Sequence, residues 1–247
     1  MDGYADTFGA RGSSYDRAMR LYPLARREEF TQLVRRARLA PGMCLGDVPA
    51  GGGYLALHLP EGVAWRGHEP CASFQQGGSA HAALADGPPL LPFPWGDASL
   101  DRVVSLAGVH HHPDKAPFHR EARRVLRPDG IYVLSDVAEG SPVSRFLDGF
   151  VGRHNSTGHA GSYLGESTQL DLGEAGFRVL SDETVEFHWV LPTRSDLAAF
   201  CALLFDLRAE GAAQVLGAAQ DILGIDRLAD GSAGLRWSLR TLACSPA

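Results

Sequence analysis

Two carboxylates and a run of glycines carry the first chemistry that can be read from this chain. Asp47 ends a short apolar run, Gly51, Gly52 and Gly53 follow it, and Glu69 closes the next apolar segment, Val63–Glu69. Three consecutive glycines are poor helix interior, so residues 44–54 are expected to be a strand turning sharply into a helix that resumes at Tyr54, Leu55, Leu57 and Leu59. Glycines in such a turn take positive φ and let a ligand approach the main chain without meeting a Cβ. In a doubly wound sheet, an acidic residue at the end of the second strand can accept hydrogen bonds from both ribose hydroxyls of an adenosine ligand, and Glu69 is placed for that role.

Histidine supplies the second group. His110, His111 and His112 are adjacent, and His154, His159 and Tyr163 fall within the polar stretch 153–163. A neutral imidazole near its usual pKa of about 6.5 can take a proton from a hydroxyl or amine. His110 is the first candidate for that task and His154 the second; the alternative for His110 and His111 is that they cap a helix and pack against a ligand. Neighbouring residues rarely point at one ion, and helical metal pairs favour an i, i+4 spacing, so no metal site is expected. The stretch 153–163 suits a substrate rim, with His159 and Tyr163 as candidate contacts, or else it is a solvated loop.

These residues need elements to hold them. Residues 1–40 carry Tyr4, Phe8, Tyr15, Met19 and Tyr22 ahead of an amphipathic segment with Phe30, Leu33, Val34 and Leu39 on one face, which predicts helices before the sheet. Further strands are expected at 81–85, 100–106 and 131–136, with a helix over 118–126 and another around Phe146, Phe150 and Val151. Beyond these, a helix over 167–175 capped by Ser167, edge strands at 177–180 and 184–190, and a closing strand at 235–243 complete the pattern. Apolar residues at helical spacing over 195–224 form an insertion between the last two strands. That insertion is expected to cover an acceptor site or to pair two subunits.

The pattern resembles the class I S-adenosylmethionine-dependent methyltransferases. Their first motif, Asp-x-Gly-x-Gly-x-Gly, matches Asp47, Gly51 and Gly53, with Pro49 in place of the first glycine. Leu91-Pro92-Phe93, Leu100-Asp101, His110-His111 and Arg124-Val-Leu-Arg-Pro128-Asp-Gly130 stand where the ubiquinone and menaquinone methyltransferases carry related motifs. The resemblance spans roughly residues 43–137. It implies S-adenosyl-L-methionine as cofactor, held by Tyr15, Asp47, Ala50, Gly51, Gly53, Glu69, Pro70, Asp86, Gly87, Ser105, Leu106 and His111. Asp86, shortly before Leu-Pro-Phe, would contact the adenine amino group, unless it is an ordinary turn aspartate.

Composition bounds the rest. The 247 residues carry a formal charge of −6 and a pI near 5.9, with no basic run beyond Arg26-Arg27 and Arg35-Arg36, which argues against nucleic acid as partner. Cys44, Cys71, Cys201 and Cys244 form no Cys-x-x-Cys and are expected to be reduced thiols of a cytoplasmic protein; no run approaches the length of a membrane span. The expected fold is α/β: a three-layer, Rossmann-like, seven-stranded methyltransferase sheet in a single domain. Its parts would be an N-terminal helical lid (1–40), a cofactor-binding core (41–137), an acceptor-side region (138–194), a helical insertion (195–232) and a closing strand (233–247). The expected function is methyl transfer to a small-molecule acceptor at O, N or C, by a chain that could form a homodimer. The alternatives are cyclisation or decarboxylation on the same fold, or an inactive cofactor-binding regulatory subunit. A nicotinamide-dependent dehydrogenase is disfavoured, because Gly-x-Gly-x-x-Gly is not the pattern here.

Overall fold

Alternating apolar runs and turns build one mixed sheet with helices against both faces. The structure, a computed structural model, describes residues 3–71, 74, 89–208 and 211–247, with side chains from residue 11. Helices α1 (Gly3–Leu21) and α2 (Arg27–Ala37) precede strands β1 (Cys44–Asp47), β2 (Ala64–Gly67) and β3 (Leu100–Leu106). Then come α3 (Ala116–Val125), β4 (Leu126–Asp136), α4 (Thr168–Glu174), β5 (Phe177–Leu191), α5 (Arg194–Leu204), α6 (Ala212–Ile222), β6 (Ile225–Arg227) and β7 (Ala233–Pro246). The sheet order is β2-β1-β3-β4-β7-β5, with β6 also on β7; the first four strands are parallel, and β7 runs antiparallel to β4, β5 and β6. The strand expected at 81–85 lies outside the described residues.

Each sheet face has its own core. On one face α2, α5 and α6 lay Phe30, Leu33, Leu197, Phe200 and Val215 against Val133, Trp189, Leu235, Trp237 and Leu239. On the other, α3 and α4 bring Phe118, Val125 and Leu172 against Val103, Tyr132, Leu242 and Cys244. The closing strand expected at 235–243 lies within β7, whose alternate residues Leu235, Trp237, Leu239 and Ala243 sit in the first core. Helix α5 starts where Thr193 accepts from the Asp196 amide at 3.1 Å and donates back to the Asp196 carboxylate at 2.7 Å.

Some local expectations change. The helix expected after the glycines is only a single 3₁₀ segment, Tyr54–His58, in which Tyr54 and Leu55 are buried and Leu57 is exposed. The edge strands expected at 177–180 and 184–190 are one strand: a bulge takes up Leu180, the polar residues Ser181, Asp182 and Glu183 stay paired with β7, and Arg240 pairs with Asp182 at 2.6 Å. Ser167 does not cap α4: its backbone is already helical and its hydroxyl donates to the Asp171 carboxylate at 3.1 Å. The segment around Phe146 is helical but carries a π-helical turn, Phe146–Val151, which widens the backbone at Asp148. All four cysteines are free, and Cys71, Cys201 and Cys244 are buried. Among the described residues no helix is long and apolar enough to cross a membrane.

Candidate cofactor and acceptor site

Strand β1 has β2 on one side and β3 on the other, so the chain departs in opposite directions from the carboxyl ends of β1 and β3. Open α/β sheets bind ligands at such a divergence. A cavity lies there, walled by Asp47, Pro49, Ala50 and Gly51 after β1 and by Leu106, Ala107 and Gly108 after β3. The two loops touch: a Cβ on Gly108 would come 2.4 Å from Pro49 Cγ. Where the sequence substitutes Pro49 for glycine, the backbone uses a cis Val48–Pro49 peptide. Gly51 and Gly53 have φ of +55° and +74°, as a glycine turn requires, and a Cβ on Gly51 would stand in open space.

Asp47 is buried, and Trp65 Nε1 donates to its Oδ2 at 3.1 Å. Burial pushes this carboxyl up to about 7, against the smaller opposing effect of the Trp65 hydrogen bond. Glu69 is also buried, but its carboxylate accepts from the Gly51 amide and from the Cys71 amide, both at 2.8 Å. It thus pins the glycine turn to the end of β2. Tyr15 reaches the cavity from α1 and accepts a hydrogen bond from Arg26 Nη1 at 2.5 Å. Arg26 forms a two-pronged pair with Glu29 at 2.6 and 2.7 Å, and Trp189 Nε1 donates to the same Glu29 carboxylate at 2.7 Å.

The histidines line the same cavity. A one-turn 3₁₀ segment, Val109–His111, follows β3 and presents His110 and His111, while the loop after the π-helical turn brings in His159. Ring centroids lie 4.1 Å apart for His110 and His111, and 5.5 Å from each of these to His159. His110 Nδ1 lies 2.6 Å from Asp136 Oδ1 at the end of β4, and His159 Nδ1 lies 2.8 Å from Asp148 Oδ1. Burial pushes the Asp136 carboxyl up, yet His110 and the amides of Val137 and His110 outweigh it and hold the group below its ordinary value. Asp148 is likewise held low: Tyr163, His159 and the Gly161 amide together outweigh its burial. Burial, reinforced by the neighbouring imidazoles and Arg11, keeps His111 well below the usual histidine range; burial and His110 take His159 down to about 4.

The cavity wall thus brings together Tyr15, Asp47, Ala50, Gly51, Leu106, His110, His111 and His159 from the residues expected at the site. Gly53 stands behind the wall against the Trp65 ring, and Tyr163 stacks on His110 at 5.9 Å and hydrogen-bonds Asp148 at 2.6 Å. Glu69, Pro70 and Ser105 are not part of the wall, and Asp86 and Gly87 lie outside the described residues. His154, the second candidate base, is not brought to the cavity; its ring packs on Phe150 at 4.7 Å because the helical segment turns it away from the other histidines.

Comparison with known proteins agrees with this arrangement. Residues 71–134 match the methyltransferase domain family. A 27-O-demethylrifamycin SV methyltransferase from Amycolatopsis mediterranei is 38% identical over 96 residues, covering 38% of this chain and 35% of that protein. The methyltransferase GfsG from Streptomyces halstedii is 32% identical over 129 residues, covering 49% and 44%. The chain thus spans under half the length of these curated relatives. A Thermotoga maritima S-adenosylmethionine-dependent methyltransferase superposes with a TM-score of 0.62 at 14% identity, covering 98% of this chain and 99% of that one. The fold is that of the class I methyltransferases, and residues 71–134 are the part that matches the methyltransferase domain family.

In a class I methyltransferase the cradle must accept an adenosine and a positively charged sulfonium, and three observations fit that ligand. Gly51 faces open space, Asp47 is a buried carboxyl with no cation beside it to hold its pKa down, and Ser105 Oγ is buried with no hydrogen-bond partner among the described residues. Sequence reasoning missed Arg11, Arg26, Glu29, Trp189, Phe205 and Trp237 on the cavity wall, and Asp136 and Asp148 behind the histidines. The position of Asp136 at the end of an apolar strand was a usable signal. Asp148 gave none, because its role depends on the π-helical turn that carries it.

Proposed function

We propose that this chain is an S-adenosylmethionine-dependent methyltransferase that acts on a hydroxyl of a small molecule. The observation that carries the reading is the shared cavity, lined both by the glycine cradle with buried Asp47 and by an imidazole cluster. When bound, the cofactor supplies an electrophilic methyl group, which leaves as the carbon–sulfur bond electrons return to sulfur and the acceptor oxygen forms the new bond. The chain's own work is placement: Gly51 and Ala50 present backbone to the ligand, Asp47 offers negative charge to its cationic part, and Tyr15, Leu106 and the aromatic wall exclude water. Holding acceptor and methyl in line can supply roughly 7–11 kcal/mol of the barrier without covalent help. The acceptor's proton must also leave. His110 is the residue placed to take it, because an ionised Asp136 can only accept, which fixes the proton on Nδ1 and leaves Nε2 with its lone pair.

A hydroxyl acceptor is favoured over amine or carbon by the name of the rifamycin-modifying relative, whose action is O-methylation. The same comparisons favour methyl transfer over cyclisation, decarboxylation or a regulatory role. The test is formation of S-adenosylhomocysteine and a methylated product from a panel of hydroxyl-bearing polyketides and glycosides. Turnover that His110→Gln lowers at least about tenfold, with cofactor affinity unchanged, supports the assignment; cofactor binding without turnover on any acceptor class sinks it.

A further inference from the structure

We propose that His110, His111 and His159 form a binding site for one divalent transition-metal ion, of which Zn²⁺ is the representative. Their ligating nitrogens all lie within 4.8 Å of one another. In a tetrahedral zinc site with Zn–N bonds of 2.0–2.1 Å the nitrogens stand about 3.3 Å apart, so each imidazole must move inward by at most about 1 Å. His159 sits on a loop and can make that adjustment. The sequence argument against adjacent histidines sharing an ion fails here for a geometric reason: the 3₁₀ turn at Val109–His111 leaves the two rings only 4.1 Å apart, and the third ligand comes from 48 residues further on.

The groups behind the imidazoles point the same way. Metal-bound histidines characteristically donate their second ring N–H to a carboxylate, which fixes the tautomer and raises ligand basicity. Two of these three do so, His110 to Asp136 and His159 to Asp148. Asp148 is itself held by the Tyr163 hydroxyl at 2.6 Å and the Gly161 amide at 3.0 Å. With a carboxylate on each Nδ1, Nε2 of His110 and of His159 is the nitrogen available to an ion. The charge balance is tolerable: Arg11 lines the same cavity as a cation, and Asp136 and Asp148 together offset it and half of the ion's charge.

Three imidazoles leave the fourth tetrahedral position open, facing the cavity in which the acceptor is proposed to sit. A hydroxyl bound there would lose its proton to bulk water near neutral pH, as zinc-bound water does with a pKa of about 7. His110 would then be a ligand in place of a base. That role rests on the methyl-transfer reading; the ion site itself does not. Imidazole donors select Zn²⁺, Co²⁺ or Ni²⁺ over Mg²⁺, which demands oxygen ligands.

The experiment uses untagged, chelator-treated full-length protein without cofactor or acceptor, titrated with Co²⁺ and followed by its visible absorption and by calorimetry, with Zn²⁺ as competitor. Uptake of one Co²⁺ per chain with a tetrahedral-type spectrum is expected, and it should be abolished by His159→Ala. Asp148→Asn, which leaves all three ligands in place, should weaken binding by about 10–100-fold. Circular dichroism of each variant separates a lost site from a lost fold. No uptake by the wild type, or uptake indifferent to both His159→Ala and Asp148→Asn in folded protein, overturns the site and leaves His110 as the base; in either case cofactor binding and methyl transfer are measured separately.

Discussion

Replacing Asp47 with asparagine should make the ligand-free protein more stable while weakening its grip on the cofactor. Burial pushes the carboxyl from 3.8 to about 7, so the native state holds a proton there that the unfolded chain has already released above about pH 4. Because the unfolded state binds fewer protons in that window, stability at this site falls as pH rises from about 4 to about 7, and the loss is complete above it. The full shift corresponds to about 4 kcal/mol. Part of it is spent already at pH 5, so between pH 5 and pH 8 the advantage of Asp47→Asn over wild type should widen by roughly 2–3 kcal/mol. Any change in the Trp65 hydrogen bond is common to both pH values and cancels. In a chain of this size the widening amounts to roughly 5–10 °C in melting temperature, readable by calorimetry of both proteins at the two pH values. Binding isotherms at pH 8 should show the cost: S-adenosylmethionine affinity lower by at least about tenfold, since the carboxylate that faces its cationic part is gone. A difference in melting temperature that stays constant from pH 5 to pH 8 would refute the reasoning.

Two further outcomes are expected. Glu69→Ala removes the acceptor that ties the Gly51 and Cys71 amides together, so cofactor affinity should drop about ten- to a hundredfold by calorimetric titration, with a matching loss of thermal stability. Arg26→Ala leaves the Glu29 carboxylate buried against the Trp189 indole without its cation; urea unfolding should report a loss of about 3–5 kcal/mol, and the double change Arg26→Met, Glu29→Leu should recover most of it.

The fold was legible wherever a local pattern decided it. The glycine turn at 51–53 announces itself because few residues other than glycine take its dihedrals, and β7 does so because its period-two pattern faces one core. Legibility failed where distant partners decide. The separation of 177–180 from 184–190 vanishes because Arg240, 58 residues from Asp182, pairs with that acid and keeps the polar residues between them in the strand. Ser167 looks like a cap, and only the competing Asp171 carboxylate withdraws its hydroxyl. At the site, Asp47 and His110 could be picked from spacing to strand ends. The Arg26–Glu29–Trp189 network could not, since residues 160 apart meet only once β5 lies beside α2.

The proposed function requires this cavity to move a methyl group from S-adenosylmethionine to a small-molecule hydroxyl. Its most direct test is mass spectrometry of reactions containing the full-length protein, methyl-deuterated S-adenosylmethionine and a panel of hydroxyl-bearing acceptors, with and without added Zn²⁺. The account predicts S-adenosylhomocysteine and an acceptor product heavier by one labelled methyl group in equal amounts, both strongly reduced in Asp47→Asn. Product that forms without the label, or label transfer untouched by the Asp47 substitution, would contradict it.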